Sequence, residues 1–377
     1  MKISTDTRTL EPGDVFIPIK GPNFDGHAYI DEALRKGASK ILDVDLVSYA
    51  KSYRKKLTCP VIGITGSAGK TTVKDMLAAV LGTRYNVVKT PENNNNEIGV
   101  PLTILSADAN TDVLIVELGM RGRGQIAGLA KMLRPTHTVI TSIGLTHIER
   151  LQTQRNIALA KAEIFQPALS WERQPRNAFI NHTAPYFDLV SKKAAKAGYK
   201  LYPFGGENKP DQNLNLCYLV GRHFGLTDEK IVEGLSRYAP SKHRLILHKL
   251  GALTLIDDTY NANPDGFIYS LQYLKRFSGR KILVMGDMLE LGDIADAEHQ
   301  KIVEHALDAD VSIIYATGNH CRQIRSNDIP VYWFETKKEL NTHLAMELKS
   351  NDIVLVKGSR GMKMEDCVTS LQDRYAG

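Results

Sequence analysis

The stretch from Pro60 to Val80 constrains this chain most. Pro60-Val61-Ile62-Gly63-Ile64 is a short apolar run, Thr65-Gly66-Ser67-Ala68-Gly69-Lys70-Thr71-Thr72 follows it, and Val73, Met76, Leu77 and Val80 then recur at helical spacing. The run reads as a buried strand and the recurrence as one face of a helix. Between them, glycines let backbone N–H groups turn toward an anion, and the helix N-terminus adds a favourable dipole. Lys70 brings a positive charge, and Thr71 a hydroxyl suited to a magnesium ion. Strand, loop and helix in that order predict a phosphate-binding loop made of Gly66, Ser67, Ala68, Gly69, Lys70, Thr71 and Thr72. The spacing departs from the strict Walker A pattern, which would put a glycine at position 64, where Ile64 stands. The bland alternative is a glycine-rich turn with no ligand.

Such a loop belongs to an α/β sheet, and the rest of the chain repeats that alternation. The 377 residues amount to two or three domains at about 150 residues each. Three α/β units are expected. Residues 1–58 form a small N-terminal unit with a turn at Glu11-Pro12-Gly13-Asp14, a strand at 15–19, a helix presenting Ile30, Ala33 and Leu34, and a strand near 40–44. Residues 59–240 form a central, doubly wound unit around the phosphate loop with strands at 113–118 and 138–143; its pattern weakens over 171–215, where 205–211 is a loop by composition, and 231–237 is a short helix. Residues 241–377 form a Rossmann-like unit with strands at 253–257, 281–286, 311–317 and 353–357.

Composition removes other classes. Hydrophobic residues at 43% and charged residues at 24% exclude a disordered, collagen-like or coiled-coil chain. No apolar run approaches the roughly 20 residues of a membrane span and no signal-peptide core opens the chain, so a soluble, cytoplasmic protein is expected. Cys59, Cys217, Cys321 and Cys367 are far apart without a Cys-x-x-Cys pair, and are expected to be reduced core residues. The net charge of +6 without a dense basic block suits an anionic small substrate as well as a nucleic acid, and charge alone decides nothing; no nucleic-acid partner is expected.

Two further positions stand at strand ends. Glu117 closes the apolar run 113–116 and His147 follows Ile143-Gly144-Leu145-Thr146. In parallel sheets the C-terminal strand ends line the ligand crevice, so both are candidates to face a nucleotide's metal. The alternatives are a solvated strand end for Glu117 and a helix cap for His147. Lys357 and Arg360, flanking Gly358 and Gly361 at another strand end, form a candidate anion site for a carboxylate.

The string from Thr65 to Thr72, with Asn93-Asn94-Asn95-Asn96-Glu97-Ile98-Gly99-Val100-Pro101-Leu102-Thr103 and Glu117-Leu118-Gly119-Met120, resembles the Mur ligases. Similar to the same family are Asp6-Thr7-Arg8 with Pro12-Gly13-Asp14 and Phe24-Asp25-Gly26-His27, then Lys161-Ala162-Glu163-Ile164-Phe165, and Asp257-Asp258-Thr259-Tyr260-Asn261-Ala262-Asn263-Pro264. Gly286-Asp287-Met288-Leu289-Glu290-Leu291-Gly292 with His299, and Lys357-Gly358-Ser359-Arg360-Gly361-Met362, extend the match to residue 362.

The resemblance implies an enzyme, an ATP- and magnesium-dependent amide ligase that phosphorylates a carboxylate and delivers an amine to it. Its closest branch takes a UDP-muramoyl peptide as acceptor and D-Ala-D-Ala as donor. It further implies that Thr7 and Arg8 hold the uridine diphosphate end of the acceptor, that Asn95 binds substrate, and that Arg244, Asp258 and Asn261 contact ATP. Lys161, if carbamylated, would join Thr71, Glu117 and His147 as metal ligands, and Lys70, Glu117, His147 and Lys161 would be the catalytic set. Without the resemblance, Lys161 reads as an ordinary helix-surface lysine.

A monomer is expected. Against the family pattern the first motif starts almost at Met1, and the chain is short between Phe204 and Asn215. Two other readings stay open: a related ligase joining another amino acid or dipeptide to a different acidic acceptor, and a nucleotide-binding homologue without catalysis. Intact Lys70, Glu117, His147 and Lys161 argue against the second.

Overall fold

A computed structural model describes residues 2–169, 175–207 and 209–375. It divides into two compact units, one comprising residues 1–143 and 158–238 and the other 144–157 and 239–377.

The first unit is built on a six-stranded sheet in the order Lys200–Phe204, Asn177–Asn181, His137–Ile140, Val61–Thr65, Val113–Glu117, Val87–Lys89. Every neighbouring pair is parallel. All residues of Val61–Thr65 and Val113–Glu117 are buried, as strands covered by helices on both faces must be. The helix Lys70–Leu81 sends Val73, Met76, Leu77 and Val80 into a core with Ile62, Ile64, Val113 and Ile115, so the periodicity read from the sequence is the face that packs. From Thr65 the chain goes on to the strand at one edge, and from Ile140 to the opposite side, which opens a crevice at the C-terminal ends of these two neighbours.

The same unit carries a small parallel sheet of Ile3–Ser4, Val15–Phe16 and Lys40–Ile41, over a core of Leu10, Phe16 and Ala33. The helix Leu46–Arg54 ends in a buried arginine that donates to the carbonyls of Leu133 at 2.7 Å and Arg134 at 3.1 Å.

The second unit has a six-stranded sheet in the order Ile246–Leu250, Leu253–Asp258, Ile353–Lys357, Lys281–Gly286, Val311–Thr317, Val331–Phe334. Only the first pair is antiparallel. The four cysteines are free and buried. No helix among the described residues is long and apolar enough to cross a membrane.

The mixed α/β class and the four strands expected in the last unit are present. Two expectations in the central unit are corrected, and the last unit gains two edge strands. The strand expected at 138–143 is His137–Ile140 and stops there, because Thr141 and Ser142 turn their side chains to the phosphate loop. The loop expected at 205–211 contains the start of the helix Lys209–His223, whose first turn accommodates Pro210 since it needs no donor there. The edge strands Ile246–Leu250 and Val331–Phe334 were not expected from the sequence. Of the weakly patterned stretch 171–215, residues 171–174 and 208 lie outside the described residues.

Candidate active site

The phosphate loop leaves the sheet at Thr65 and enters the helix at Lys70. A Cβ on Gly66 would lie 1.9 Å from Thr141 Oγ1, so only glycine fits against the neighbouring strand end. Gly69 has φ +82° and is the helix N-cap without a side-chain bond, a left-handed position that favours glycine. Thr141 donates to Ala68 O at 2.6 Å, and Ala68 N–H donates to Ser142 Oγ at 2.9 Å, pinning the middle of the loop. Ser67 and Thr71 are buried, whereas Ala68, Gly69, Lys70 and Thr72 are half-buried at the mouth. Lys70 Nζ donates to Gly66 O at 2.8 Å, so its ammonium already lies over the loop backbone.

Beside the loop, Glu117 ends its strand with a carboxylate that is 1% exposed. Its Oε2 accepts from Thr71 Oγ1 and its Oε1 from Asn95 Nδ2, both at 2.8 Å. Its backbone N–H donates to Thr90 Oγ1 at 3.0 Å. Thr71, Asn95 and Glu117 are thus one cluster. Thr90, Thr141 and Ser142 support it and carry no sequence signal, being isolated small polar residues whose role depends on strand register.

Lys161 closes the helix Gln154–Lys161 with its side chain 1% exposed. It is therefore not the surface lysine that the sequence alone suggests. Two residues on, the Glu163 carboxylate accepts from Gly124 N at 2.8 Å and Ala127 N at 3.1 Å, capping the helix Gln125–Leu133. His147, expected in the same domain as Glu117, groups with the second unit. It is the N-cap of the short helix Ile148–Leu151, at φ +65°, and its Nδ1 lies 2.6 Å from Glu290 Oε2.

In the second unit Asp258 and Lys357 form a buried ion pair, and Ser270 also donates to Asp258. Lys357 Nζ donates further to Asn261 O at 3.0 Å. The ammonium expected to meet an incoming carboxylate therefore stands behind the Asn261 turn as its support. Asn261 itself is exposed, with its Oδ1 accepting from Arg360 N at 3.3 Å, whereas Asn263 caps the helix Pro264–Leu274. Arg360 is exposed and paired with Glu365 at 2.9 Å. The Arg244 guanidinium lies 3.9 Å from the ring centre of Tyr260, a flat platform that the sequence reading missed.

Asp287, His299 and Cys321 also lie close enough to hold a metal. Their donors are occupied: His299 Nε2 accepts from Met288 N at 2.8 Å, its Nδ1 donates to Ala295 O at 2.7 Å, and Asp287 Oδ1 accepts from Cys321 N at 2.9 Å. Burial pushes the Cys321 thiol well above its ordinary pKa. This cluster fastens a turn.

In the N-terminal sheet region Thr7 is buried, and its carbonyl accepts from Lys36 Nζ at 2.9 Å. Arg8 is exposed and forked onto Asp6, with Nε 2.9 Å from Oδ1, and that guanidinium holds the Asp6 carboxyl below its usual range. Phe24 and Tyr29 stack nearby in sequence at 5.6 Å with both rings exposed.

The Mur ligase middle domain matches residues 64–230, and the Mur ligase glutamate ligase domain matches residues 243–360. The chain belongs to the Mur ligases. Among Mur ligases it is 33% identical to the UDP-N-acetylmuramoyl-tripeptide--D-alanyl-D-alanine ligase of Bacillus subtilis, across 98% of this chain and 92% of that one. It is 30% identical to the enzyme of the same name from Escherichia coli, across 98% and 93%. Solved Mur ligases give the same picture. MurF from Acinetobacter baumannii superposes with a TM-score of 0.86 at 25% identity, covering 99% of this chain and 93% of that one. The Thermotoga maritima MurF ligase in complex with ADP gives 0.84 at 27%, covering 99% and 97%. The Mur ligase motifs at the phosphate loop and at Glu117 are the residues that the structure draws together.

Proposed function

We propose that this chain is an ATP-dependent, ADP-forming ligase that joins D-alanyl-D-alanine to UDP-N-acetylmuramoyl-tripeptide, a cytoplasmic step of peptidoglycan precursor synthesis. The observation that carries the reading is the Thr71, Asn95 and Glu117 cluster set against a glycine-walled phosphate loop. The long identity to relatives bearing that name supports the choice of substrates.

The residues fit the nucleotide and its metal. A loop in which a Cβ at Gly66 would collide with Thr141, and a helix start with no side-chain cap at Gly69, suit a polyphosphate. A buried carboxylate beside a hydroxyl is a hard oxygen pair of the kind magnesium takes. Bound MgATP would supply the phosphoryl group and the charge neutralisation that its transfer to a carboxylate needs.

The chain's own part is positioning. Lys70, now bonded to Gly66 O, would neutralise the phosphates, Thr71 and Glu117 would hold magnesium through their oxygens, and Asn95 holds the Glu117 carboxylate in one orientation. A carbamylated Lys161 joins Thr71 and Glu117 in the metal set in this reading. Arg244 and Asn261 serve the nucleotide, with the buried Asp258 and Lys357 pair behind the Asn261 turn as its support; Thr7 and Arg8 serve the uridine diphosphate end, and Arg360 the peptide side. Product mass tests the substrates: incubation with MgATP, UDP-N-acetylmuramoyl-tripeptide and D-Ala-D-Ala should yield the pentapeptide. Failure with this pair and success with another amine or acceptor would move the chain to another Mur ligase specificity.

A further inference from the structure

Lys74, one helical turn beyond Lys70, is a buried charge to which the reaction assigns no role. It is 1% exposed, its Nζ donates to Glu92 O at 2.5 Å, and it lies 3.5 Å from Asp75 Oδ1, which is already bound by Lys89 Nζ at 2.7 Å. Burial lowers its pKa below that of an ordinary lysine, partly offset by Asp75 and then Glu117. An ammonium kept out of water is costly, whereas an apolar side chain of similar volume would fill the same space without that cost. The carbonyl that it holds belongs to Glu92, whose φ of +45° is uncommon for a residue other than glycine.

From Glu92 the chain runs in a tight turn to Asn95, with Asn94 N–H donating to Pro91 O at 3.1 Å and Asn95 N–H to Asn93 O at 2.7 Å. Asn95 then meets the strand end twice: its carbonyl accepts from Gly119 N at 2.9 Å and its side chain donates to Glu117 Oε1 at 2.8 Å. The fit is close, since a Cβ on Gly119 would lie 2.4 Å from Asn95 Oδ1.

We propose that Lys74 is a positioning residue for the magnesium side of the site: its ammonium ties the 91–95 turn to the phosphate-loop helix and thereby sets Asn95 against Glu117. Lys74 touches neither nucleotide nor metal and acts through Asn95. The inference rests on the reading above in which Thr71 and Glu117 serve magnesium.

The test uses the full chain with Lys74→Met, Asn95→Ala and the double variant. Calorimetric binding of ADP is followed against magnesium concentration, and exchange of the Gly119 amide hydrogen is measured without ligand. Lys74→Met is expected to raise the half-saturating magnesium about tenfold, the size typical when a residue behind a metal ligand is lost. It is also expected to speed Gly119 exchange, and to add nothing once Asn95 is alanine. Should Lys74→Met fail to fold, Lys74→Gln, a neutral donor of shorter reach, carries the same comparison in the same direction. An unshifted magnesium dependence in the Lys74 variant alone, or effects that multiply in the double variant, would overturn the role of Lys74. No shift in the Asn95 variant either would overturn the magnesium reading of the site, and this inference with it.

Discussion

Thr71 Oγ1 donates to Glu117 Oε2 over 2.8 Å, so the first turn of the phosphate-loop helix is bonded to the end of a strand 46 residues away. The register beneath it is fixed by the parallel pair Val61–Thr65 and Val113–Glu117, in which Ile64 stands opposite Glu117. Thr71→Val keeps the shape and removes the donor, leaving a buried carboxylate oxygen short of a partner. The expected cost is about 1–3 kcal/mol of stability, from the desolvation that the lost bond no longer offsets. Ligation is expected to fall as well. Thermal unfolding and turnover measured together check this, with Thr71→Ser, which retains the hydroxyl, close to wild type in both.

The ion pair between Lys357 and Asp258 is buried on both sides, at 3% and 8% exposure. Lys357→Met strands the Asp258 carboxylate and is expected to destabilise the second unit by about 3–5 kcal/mol. Replacing both residues, as Lys357→Met with Asp258→Leu, removes the stranded charge and should recover part of the loss. Unfolding of the single and double variants compares them; equal stability of single variant and wild type would contradict the pairing.

Burial, followed by the neighbouring His223, holds His137 down to a pKa of about 3 against 6.5 when exposed. Its ring is neutral in the fold, with Nδ1 2.9 Å from Thr136 Oγ1 and Nε2 3.1 Å from Asn177 Nδ2. Because the folded pKa is depressed for a base, the unfolded chain binds the extra proton first. The contribution is complete above pH 6.5 and is lost as pH falls from there toward 3, at up to about 1.4 kcal/mol per pH unit. His137→Gln, which does not titrate, should flatten the stability profile between pH 4 and 6.

Legibility followed local physics. The phosphate loop was readable because glycine, lysine and threonine between a strand and an amphipathic helix have few other uses, and the four strands of the last unit were readable as uniform apolar runs. Val331–Phe334 was not, although Val331-Tyr332-Trp333-Phe334 is itself an apolar and aromatic run: it is only four residues long, directly follows Pro330 and is partly exposed at a sheet edge. Pro210 hid a helix start by reading as a loop breaker. Lys74 is invisible in a pattern that registers Val73, Met76, Leu77 and Val80, because burial of a lysine among them depends on a turn 18 residues downstream. The grouping of 144–157 with the second unit is a property of the folded chain that no local signal carries.

Lys161, like Lys74, is a buried lysine of the first unit, at 1% exposure. If it works as a carbamate, a neutral Lys161→Ala removes an anionic oxygen pair from the metal set. Turnover should then be nearly abolished and partly restored by added formate or acetate. Full activity of the alanine variant would rule the role out.

The most direct measurement is inorganic phosphate release from MgATP by the wild type and by Lys70→Ala, with UDP-N-acetylmuramoyl-tripeptide and D-Ala-D-Ala supplied singly and together. Sustained release by the wild type only when both are present, one phosphate per pentapeptide formed, and its loss in a folded Lys70→Ala variant, is the expected result. Release that ignores either substrate, or a Lys70→Ala variant that turns over like the wild type, would contradict the assignment of this phosphate loop to peptide ligation.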